Sequence, residues 1–279
     1  MRLLLRKFDM GEVKDDQTIV MIGKRNTGKS FLIKDLLYHH RDLPIGSVIS
    51  PSEGVNRFFS NIVPPLFIHE EYTPSVVENV VKRQRVVMKK IEEQKRLYGT
   101  CNIDPRAFLI MDDCLYDDSW ANNKWIRFIF MNGRHVKLMY VVSMQHPLGV
   151  KPCLRTNVDV VFILRENLFS NRKRIYENWA GMFPTFDVFC QCLDQTTEDF
   201  HALVINNNAK SNRLDQQVFW YKAESHDDFR MCSRAFWLMS EQLASDAGAK
   251  DDDEEDLSSA KVRAKRNSPL VNVQRTIAR

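Results

Sequence analysis

The sequence lacks the patterns that mark several classes of protein. Its six cysteines include no C-x-x-C pair, and Cys190-x-Cys192 has no matching second half, so the cysteines predict no zinc site. The apolar run in MRLLLRKFDM is too short for a signal peptide, and no stretch nears the length of a membrane span. A net charge of +4 over 279 residues does not by itself indicate a nucleic-acid partner. We therefore expect a soluble intracellular protein with reduced thiols and no transmembrane segment.

A phosphate-binding loop is the clearest pattern present. Residues Gly23–Ser30, GKRNTGKS, match G-x-x-x-x-G-K-[ST] at every fixed position. The strand-like run Ile19–Ile22 precedes the loop and the helix-like run Phe31–Leu37 follows it, which is the context the motif requires, although a chance match in a turn is the alternative. Lys29 is expected to reach the β- and γ-phosphates and the Ser30 hydroxyl to bind Mg²⁺. The candidate nucleotide contacts are Gly23, Lys24, Arg25, Asn26, Thr27, Gly28, Lys29 and Ser30.

Apolar runs alternate with helix-period segments after this loop. Three mostly apolar runs predict buried parallel strands: Ala107–Met111, Val136–Met144 and Asp159–Leu164. Phe200–Ile205 and Gln217–Tyr221 predict a hairpin at the sheet edge, and Asp227–Leu243 predicts an amphipathic helix that closes the domain. The expected fold is α/β, a doubly wound and mostly parallel sheet flanked by helices, as in P-loop NTPases.

Two charged segments stand apart from these runs. The predicted helix Pro74–Leu97, with Thr73 as N-cap, is rich in lysine and arginine, and it is either a solvated face with acidic partners or a contact for a polyanion. From residue 245 the composition changes, and Asp251–Asp256 is a run of six acids with basic residues after it. We expect residues 245–279 to be a disordered tail that contacts nucleic acid or an import receptor, or only aids solubility.

Acidic and amide side chains follow two of the predicted strands. Asp112 and Asp113 end the run FLIMDD, and Gln145 ends the run VVSM. Asp112 is expected to bind Mg²⁺, and Asp113 to orient and deprotonate the attacking water. Gln145 is expected to sense the γ-phosphate and align that water. Capping of the next segment by Asp113, and of the strand end by Gln145, are the alternatives.

An arginine is the remaining part that phosphate hydrolysis needs. A guanidinium stabilises charge on the γ-phosphate oxygens, and ring-forming ATPases supply it from a neighbouring subunit. Arg134, in the sequence NGRH, is the first candidate and Arg155 is the second. Each is otherwise an ordinary surface arginine.

The order of GKRNTGKS, FLIMDDC, NGRH and YVVSMQHPLGVKPCLRTNVDVVFILRE resembles the genome-packaging ATPases of nucleocytoplasmic large DNA viruses, within the FtsK–HerA superfamily of P-loop DNA pumps. The resemblance covers roughly Ile19 to Asn206. It implies an ATP- and Mg²⁺-dependent motor domain over residues 1–244 that moves double-stranded DNA into a capsid. It also implies a homo-oligomeric ring, a capsid or membrane partner at the portal, and a location in the host cytoplasm or the virion. Many members carry Asp-Glu where this chain has Asp112-Asp113, which weakens the assignment of Asp113.

Two other functions are compatible with a phosphate-binding loop. A P-loop small-molecule kinase would need an acceptor pocket and an arginine-rich lid, and it has no use for an arginine from a neighbour. A nucleotide-gated scaffold would bind ATP without turnover, and the intact Asp112, Asp113 and Gln145 argue against it.

Overall fold

A computed structural model describes residues 3–114, 120 and 122–246 of the chain. The strands are β1 (Arg6–Lys7), β2 (Thr18–Ile22), β3 (Gly46–Ile49), β4 (Ile68–His69), β5 (Ala107–Asp112), β6 (Leu138–Met144), β7 (Val160–Ile163), β8 (His201–Asn206) and β9 (Val218–Lys222). The helices are α1 (Lys29–His39), α2 (Glu53–Asn56), α3 (Pro74–Tyr98), α4 (Lys124–Asn132), α5 (Pro152–Arg155), α6 (Phe169–Trp179), α7 (Phe186–Thr196), α8 (Leu214–Gln217) and α9 (residues 234–246).

The strands of the described residues form one sheet in the order β1-β9-β8-β7-β2-β6-β5-β3-β4. β2 is parallel to both of its neighbours, β6 and β7, while β8 is antiparallel to β7 and to β9. The predicted mostly parallel sheet and the β8–β9 hairpin are therefore confirmed. The hairpin is not the last element of the sheet, because β1 pairs with β9 in parallel.

The strands that lead to the candidate site are buried because their sequences are apolar on both faces. Every residue of β2, β5 and β6 is buried. On α1 the side chains of Leu32, Ile33 and Leu36 are 2% exposed or less and pack into the core beside the sheet. This packing fixes the start of α1 relative to the end of β2.

Helix α3 is bounded by the residues that the sequence favours for helix ends. Pro74 occupies the first position, where its missing N–H leaves no bond unmade, and Gly99 ends the helix with a φ of 74°. Gln84 is completely buried on this helix, and its amide donates to the carbonyls of Pro105 and Val136 at 2.7 Å each. These bonds hold α3 against the segments that precede β5 and β6.

The closing helix begins later than the predicted Asp227. α9 starts at residue 234, where a second compact unit of the chain begins. Before it, the Met231 N–H donates to the carbonyl of Ile62 at 2.7 Å, and Cys232 has a φ of 69°, so this backbone is not helical. An irregular backbone that the periodicity does not reveal buries Met231 and partly buries Phe229 and Cys232.

The described residues decide neither the predicted domain boundary nor the predicted tail. The boundary at residue 244 stays a prediction, and residues 247–279 of the predicted tail lie outside the described residues. None of the helices in the described residues combines the length and the apolar composition that a membrane span requires.

Candidate nucleotide site

The carboxyl ends of β2, β5, β6 and β7 lie at one edge of the sheet because these strands are parallel neighbours. A cavity of about 1280 Å³ opens there. Its lining includes nine of the residues that the sequence predicts to act on a nucleotide: Lys24, Arg25, Asn26, Gly28, Lys29, Ser30, Asp112, Asp113 and Gln145. Three separate motifs of the sequence thus meet at one cavity.

The two remaining residues of the loop shape it from outside the cavity lining. A Cβ on Gly23 would lie 2.7 Å from Thr27 Oγ1 and 2.9 Å from Leu164 Cβ, so only glycine fits there. The Thr27 hydroxyl donates to the carbonyl of Lys24 at 2.7 Å and closes the turn. Gly28, with a φ of 99°, is the N-cap of α1. The loop therefore ends where the N–H groups of a helix start, which is a place that favours anions.

The Lys29 side chain lies buried in the middle of the loop. Its ammonium donates to the carbonyls of Gly23 at 2.7 Å and Lys24 at 3.0 Å, and Nζ is 3.9 Å from Asp113 Oδ2. Burial lowers the pKa of Lys29, while the charges of Asp113 and Asp112 oppose that shift. The loop thus presents a cation that is only partly hydrated and is already positioned for an anion.

Asp112 is the last residue of β5 and is 6% exposed. Burial raises the pKa of its carboxyl, and the negative charge of Asp113 acts in the same direction. Ser143 is its partner across the β5–β6 ladder, and the buried Ser143 hydroxyl opposes this shift by interacting with the Asp112 carboxylate. With the Ser30 hydroxyl lining the same cavity, these oxygen atoms fit the ligand preference of Mg²⁺.

Asp113 and Gln145 contact each other at the rim of the same cavity. The Gln145 Nε2 donates to Asp113 Oδ2 at 2.5 Å. Asp113 has a φ of 55°, and its N–H donates to the carbonyl of Ser143 at 3.2 Å, so a twisted backbone turns this carboxylate toward Lys29 and Gln145. This backbone conformation is costly for a residue with a side chain, and such strain is typical of functional positions. The amide fixes the carboxylate from one side.

Arg134 lies at the opposite end of the strands from the phosphate loop. Its guanidinium pairs with Asp159 Oδ1 at 3.2 Å, beside a second cavity of about 550 Å³ at the amino ends of β2 and β7. β6 separates Arg134 from Gln145, and its seven residues span about 23 Å at the usual rise of a strand. Arg134 therefore does not reach the phosphate loop of its own chain.

Arg155 is outside both cavities and is held by its own chain. Its Nε donates to the carbonyl of Val150 at 2.8 Å, and its guanidinium also contacts Asn178 and lies 5.5 Å from the centre of the Trp179 ring. Burial lowers the pKa of this guanidinium. The structure thus separates both candidate arginines from the residues that line the site.

The structure adds a contact between the loop and the end of β7 that the sequence analysis missed. Lys24 Nζ lies 2.8 Å from Glu166 Oε1 and 2.6 Å from Asn167 Oδ1. Glu166 is 3% exposed. Burial acts to raise its pKa, but Lys24, the Leu168 N–H and the Asn171 amide together hold the pKa below the ordinary value. The sequence pattern that could have indicated Glu166 is an acidic residue shortly after a buried strand.

Phe200 is the second residue that the sequence analysis missed. Its side chain is 67% exposed and lines the cavity, and Phe200 Cδ1 would lie 3.6 Å from a Cβ built on Gly28. Asp199 and Phe200 have φ values of 48° and 63°, so two successive residues other than glycine adopt the left-handed conformation. An exposed aromatic ring on strained backbone above the loop offers a face to an aromatic ligand. No sequence pattern indicated it.

Three of the basic residues of α3 pair with their own surroundings. Lys82 and Lys89 lie 2.7 Å and 3.9 Å from acidic side chains one turn away, and the Arg85 guanidinium stacks on the rings of Trp125 and Phe128. These contacts favour a solvated face with acidic and aromatic partners over a dedicated polyanion groove.

Sequence relatives of the chain are proteins of large DNA viruses. Protein L437 of Acanthamoeba polyphaga mimivirus is 42% identical over 220 residues, which cover 78% of this chain and 77% of that protein. Protein 075L of Invertebrate iridescent virus 6 is 42% identical over 211 residues, which cover 75% and 78% of the two chains. No protein-family model matches the chain.

A solved structure shares the fold. The genome packaging NTPase B204 from Sulfolobus turreted icosahedral virus 2, in complex with sulfate, superposes with a TM-score of 0.50 at 17% identity, covering 77% of this chain and 100% of that one. The predicted relationship to proteins of large DNA viruses and the predicted fold are therefore both confirmed.

Proposed function

The chain belongs to the family of large-DNA-virus proteins that includes mimivirus L437 and iridescent virus 075L, and we propose that it is an ATP-hydrolysing motor that moves double-stranded DNA into a capsid. The motor acts as a ring of identical subunits at a portal of the capsid or its membrane, in the host cytoplasm where virions assemble. The fold it shares with a viral genome packaging NTPase supports this proposal.

One observation carries the catalytic part of the proposal. The phosphate loop, two strand-end acids and a strand-end amide line a single cavity, and Gln145 Nε2 lies 2.5 Å from Asp113 Oδ2. A carboxylate oriented by an amide next to a phosphate loop is the arrangement that activates water for attack on a γ-phosphate. A scaffold that only binds nucleotide has no use for it.

The residues around the cavity have distinct tasks in this reaction. Lys29 and the loop N–H groups hold the phosphates, and Ser30 and Asp112 hold Mg²⁺, which neutralises charge that develops on the phosphate oxygens. Asp113 accepts the proton of the attacking water while Gln145 fixes the position of Asp113. Phe200 stacks on the base of the nucleotide.

Arg134 completes the site in the neighbouring subunit. About 23 Å of strand separates Arg134 from Gln145 of its own chain. Its guanidinium therefore contributes to hydrolysis only if the amino ends of the strands in one subunit face the carboxyl ends of the strands in the next. A ring of subunits in a head-to-tail arrangement provides this contact. Arg155, which the Val150 carbonyl and the Trp179 ring hold in its own chain, is the weaker candidate.

The test is hydrolysis of ATP by the purified full chain with and without double-stranded DNA. We expect DNA to stimulate turnover several-fold, and Lys29→Ala to abolish it in both conditions. Lys90→Ala, on α3, is the matched control, because it removes an exposed lysine far from the cavity lining. Hydrolysis that double-stranded DNA leaves unchanged would contradict the motor, and a phosphorylated small molecule as product would favour the kinase.

A further inference from the structure

Two histidines and an aspartate meet on α1 and the segment after β9, outside the nucleotide cavity. Asp35 and His39 are one turn apart on α1, and His226 approaches from the segment that follows β9. One potential ligand atom from each residue lies within 4.8 Å of the others. We propose that these three side chains form a binding site for a divalent transition-metal ion, Zn²⁺ above all.

The two oxygens of Asp35 have different surroundings. Oδ2 accepts the Tyr221 hydroxyl at 2.6 Å and the Glu224 N–H at 3.1 Å. Oδ1 faces His226 Nε2 at 2.5 Å and His39 Nε2 at 3.6 Å. One oxygen is therefore oriented by protein donors and the other is presented to two imidazoles. A metal-binding carboxylate is held in the same way, with its second oxygen hydrogen-bonded to the protein.

The geometry is close to that of a bound zinc ion. Zinc bonds of about 2.0–2.2 Å place the ligand atoms of a tetrahedral site about 3.3 Å apart. The distance from Asp35 Oδ1 to His39 Nε2 is 3.6 Å, and the distance to His226 Nε2 opens from 2.5 Å as an ion enters. Imidazole nitrogen with one carboxylate is a donor set that suits zinc better than Mg²⁺ or Ca²⁺.

Access and ring orientation also favour an ion at this place. The Asp35 side chain is 0% exposed, whereas the side chains of His39 and His226 are 31% and 11% exposed, so an ion from solution reaches the buried carboxylate past the two rings. The His226 ring stacks on Tyr38 with centroids 3.7 Å apart, which fixes its plane. Water fills the fourth position of such a site.

The site would fasten the end of β9 to the phosphate-loop helix. Lys222 and Ala223 line the nucleotide cavity just before Glu224 donates to Asp35. An ion shared by Asp35, His39 and His226 adds a second tie between this segment and α1. The proposal does not depend on nucleotide hydrolysis, since no residue of the cluster lines the nucleotide cavity.

The test is calorimetric titration of the metal-free full chain with zinc chloride in the absence of nucleotide. We expect one equivalent to bind, and His39→Gln and His226→Gln each to weaken binding by at least about tenfold. Asp112→Asn should keep the equivalent, which separates this site from the nucleotide site. His135→Gln, which removes an exposed histidine elsewhere, should bind as the wild type does.

A second measurement guards against variants that fail to fold. Zinc should raise the midpoint of thermal unfolding of the wild type and of His135→Gln, but not that of His39→Gln, whose side chain is partly exposed on α1. Absence of zinc binding to the wild type would overturn the proposal. Equal affinity in both histidine variants and the wild type would do so as well, because zinc would then bind elsewhere.

Discussion

Replacement of Asp113 by asparagine separates hydrolysis from nucleotide binding. The substitution keeps the size of the side chain, and the carbonyl of the new amide still accepts the Gln145 N–H that now lies 2.5 Å from Asp113 Oδ2. What disappears is the carboxylate that accepts the proton of water in the proposed reaction. Removal of a positioned general base lowers a rate by about 10²- to 10⁴-fold, which corresponds to about 3–5 kcal/mol of barrier.

Nucleotide affinity should not fall with the rate of hydrolysis. Asp113 is a negative charge 3.9 Å from Lys29 Nζ, beside the place where the phosphates bind. Its neutralisation removes repulsion of the γ-phosphate, so we expect Asp113→Asn to bind ATP as tightly as the wild type, or more tightly. Loss of binding together with loss of hydrolysis would instead mean that the substitution had disturbed the loop.

Single-turnover hydrolysis with double-stranded DNA, combined with calorimetric ATP binding, measures both quantities. Asp228→Asn is the matched control, because it makes the same chemical change on a fully exposed side chain. A rate for Asp113→Asn within about threefold of the wild type would refute the assignment of Asp113 as the base. Capping of the following segment would then be its role.

Three further predictions concern the contacts around the site. Glu166→Gln should destabilise the chain at neutral pH, because the partners of Glu166 hold its pKa below the ordinary value. The extra stability of the wild type should vanish as the pH falls through that lowered pKa. Scanning calorimetry at several pH values, with Glu93→Gln as control, measures the difference in stability, and a difference that persists in acid would contradict this prediction. Phe200→Ala should weaken ATP binding about tenfold while Phe200→Tyr should not, and equal affinities would exclude base stacking. When Arg134→Ala subunits are mixed with wild type, DNA-stimulated turnover should fall more steeply than in proportion to the fraction of variant subunits. A fall in proportion to that fraction would show that each subunit acts alone. Arg134→Lys, which can still pair with Asp159, controls for folding.

The sequence was sufficient for the residues that sit at strand ends. Asp112 ends one apolar run, Gln145 follows another, and the loop that leads to Lys29 follows a third. Parallel strands bring their carboxyl ends together, so local patterns alone predicted a shared cavity. The same logic predicted the β8–β9 hairpin, since its two strands are close in sequence.

Contacts between distant segments could not be predicted in this way. β1 pairs with β9, with Arg6 opposite Phe219, and no local pattern joins them. Met231 is buried by an irregular segment whose apolar spacing happened to look helical. The positions of Phe200 and of the Asp35 cluster depend on how loops approach α1 in three dimensions. Helical and strand periodicities in a single sequence carry no information about such approaches.

In the proposed ring, Arg134 has fewer contacts to give up than Arg155 and is therefore the better candidate to act on a neighbour's nucleotide. To reach a neighbouring subunit, Arg134 gives up one ion pair, between its own half-exposed guanidinium and the buried carboxylate of Asp159, which keeps the Thr18 N–H at 2.8 Å. Arg155 would lose its hydrogen bonds to the Val150 carbonyl and the Asn178 amide oxygen together with its contact with the Trp179 ring. Arg134 is also tied through Asp159 to the first residue of β2, the strand that ends at the phosphate loop. In the proposed ring, departure of Arg134 from Asp159 would therefore change the contacts of the carboxylate that accepts the Thr18 N–H, at the start of the strand that leads to the subunit's own phosphate loop.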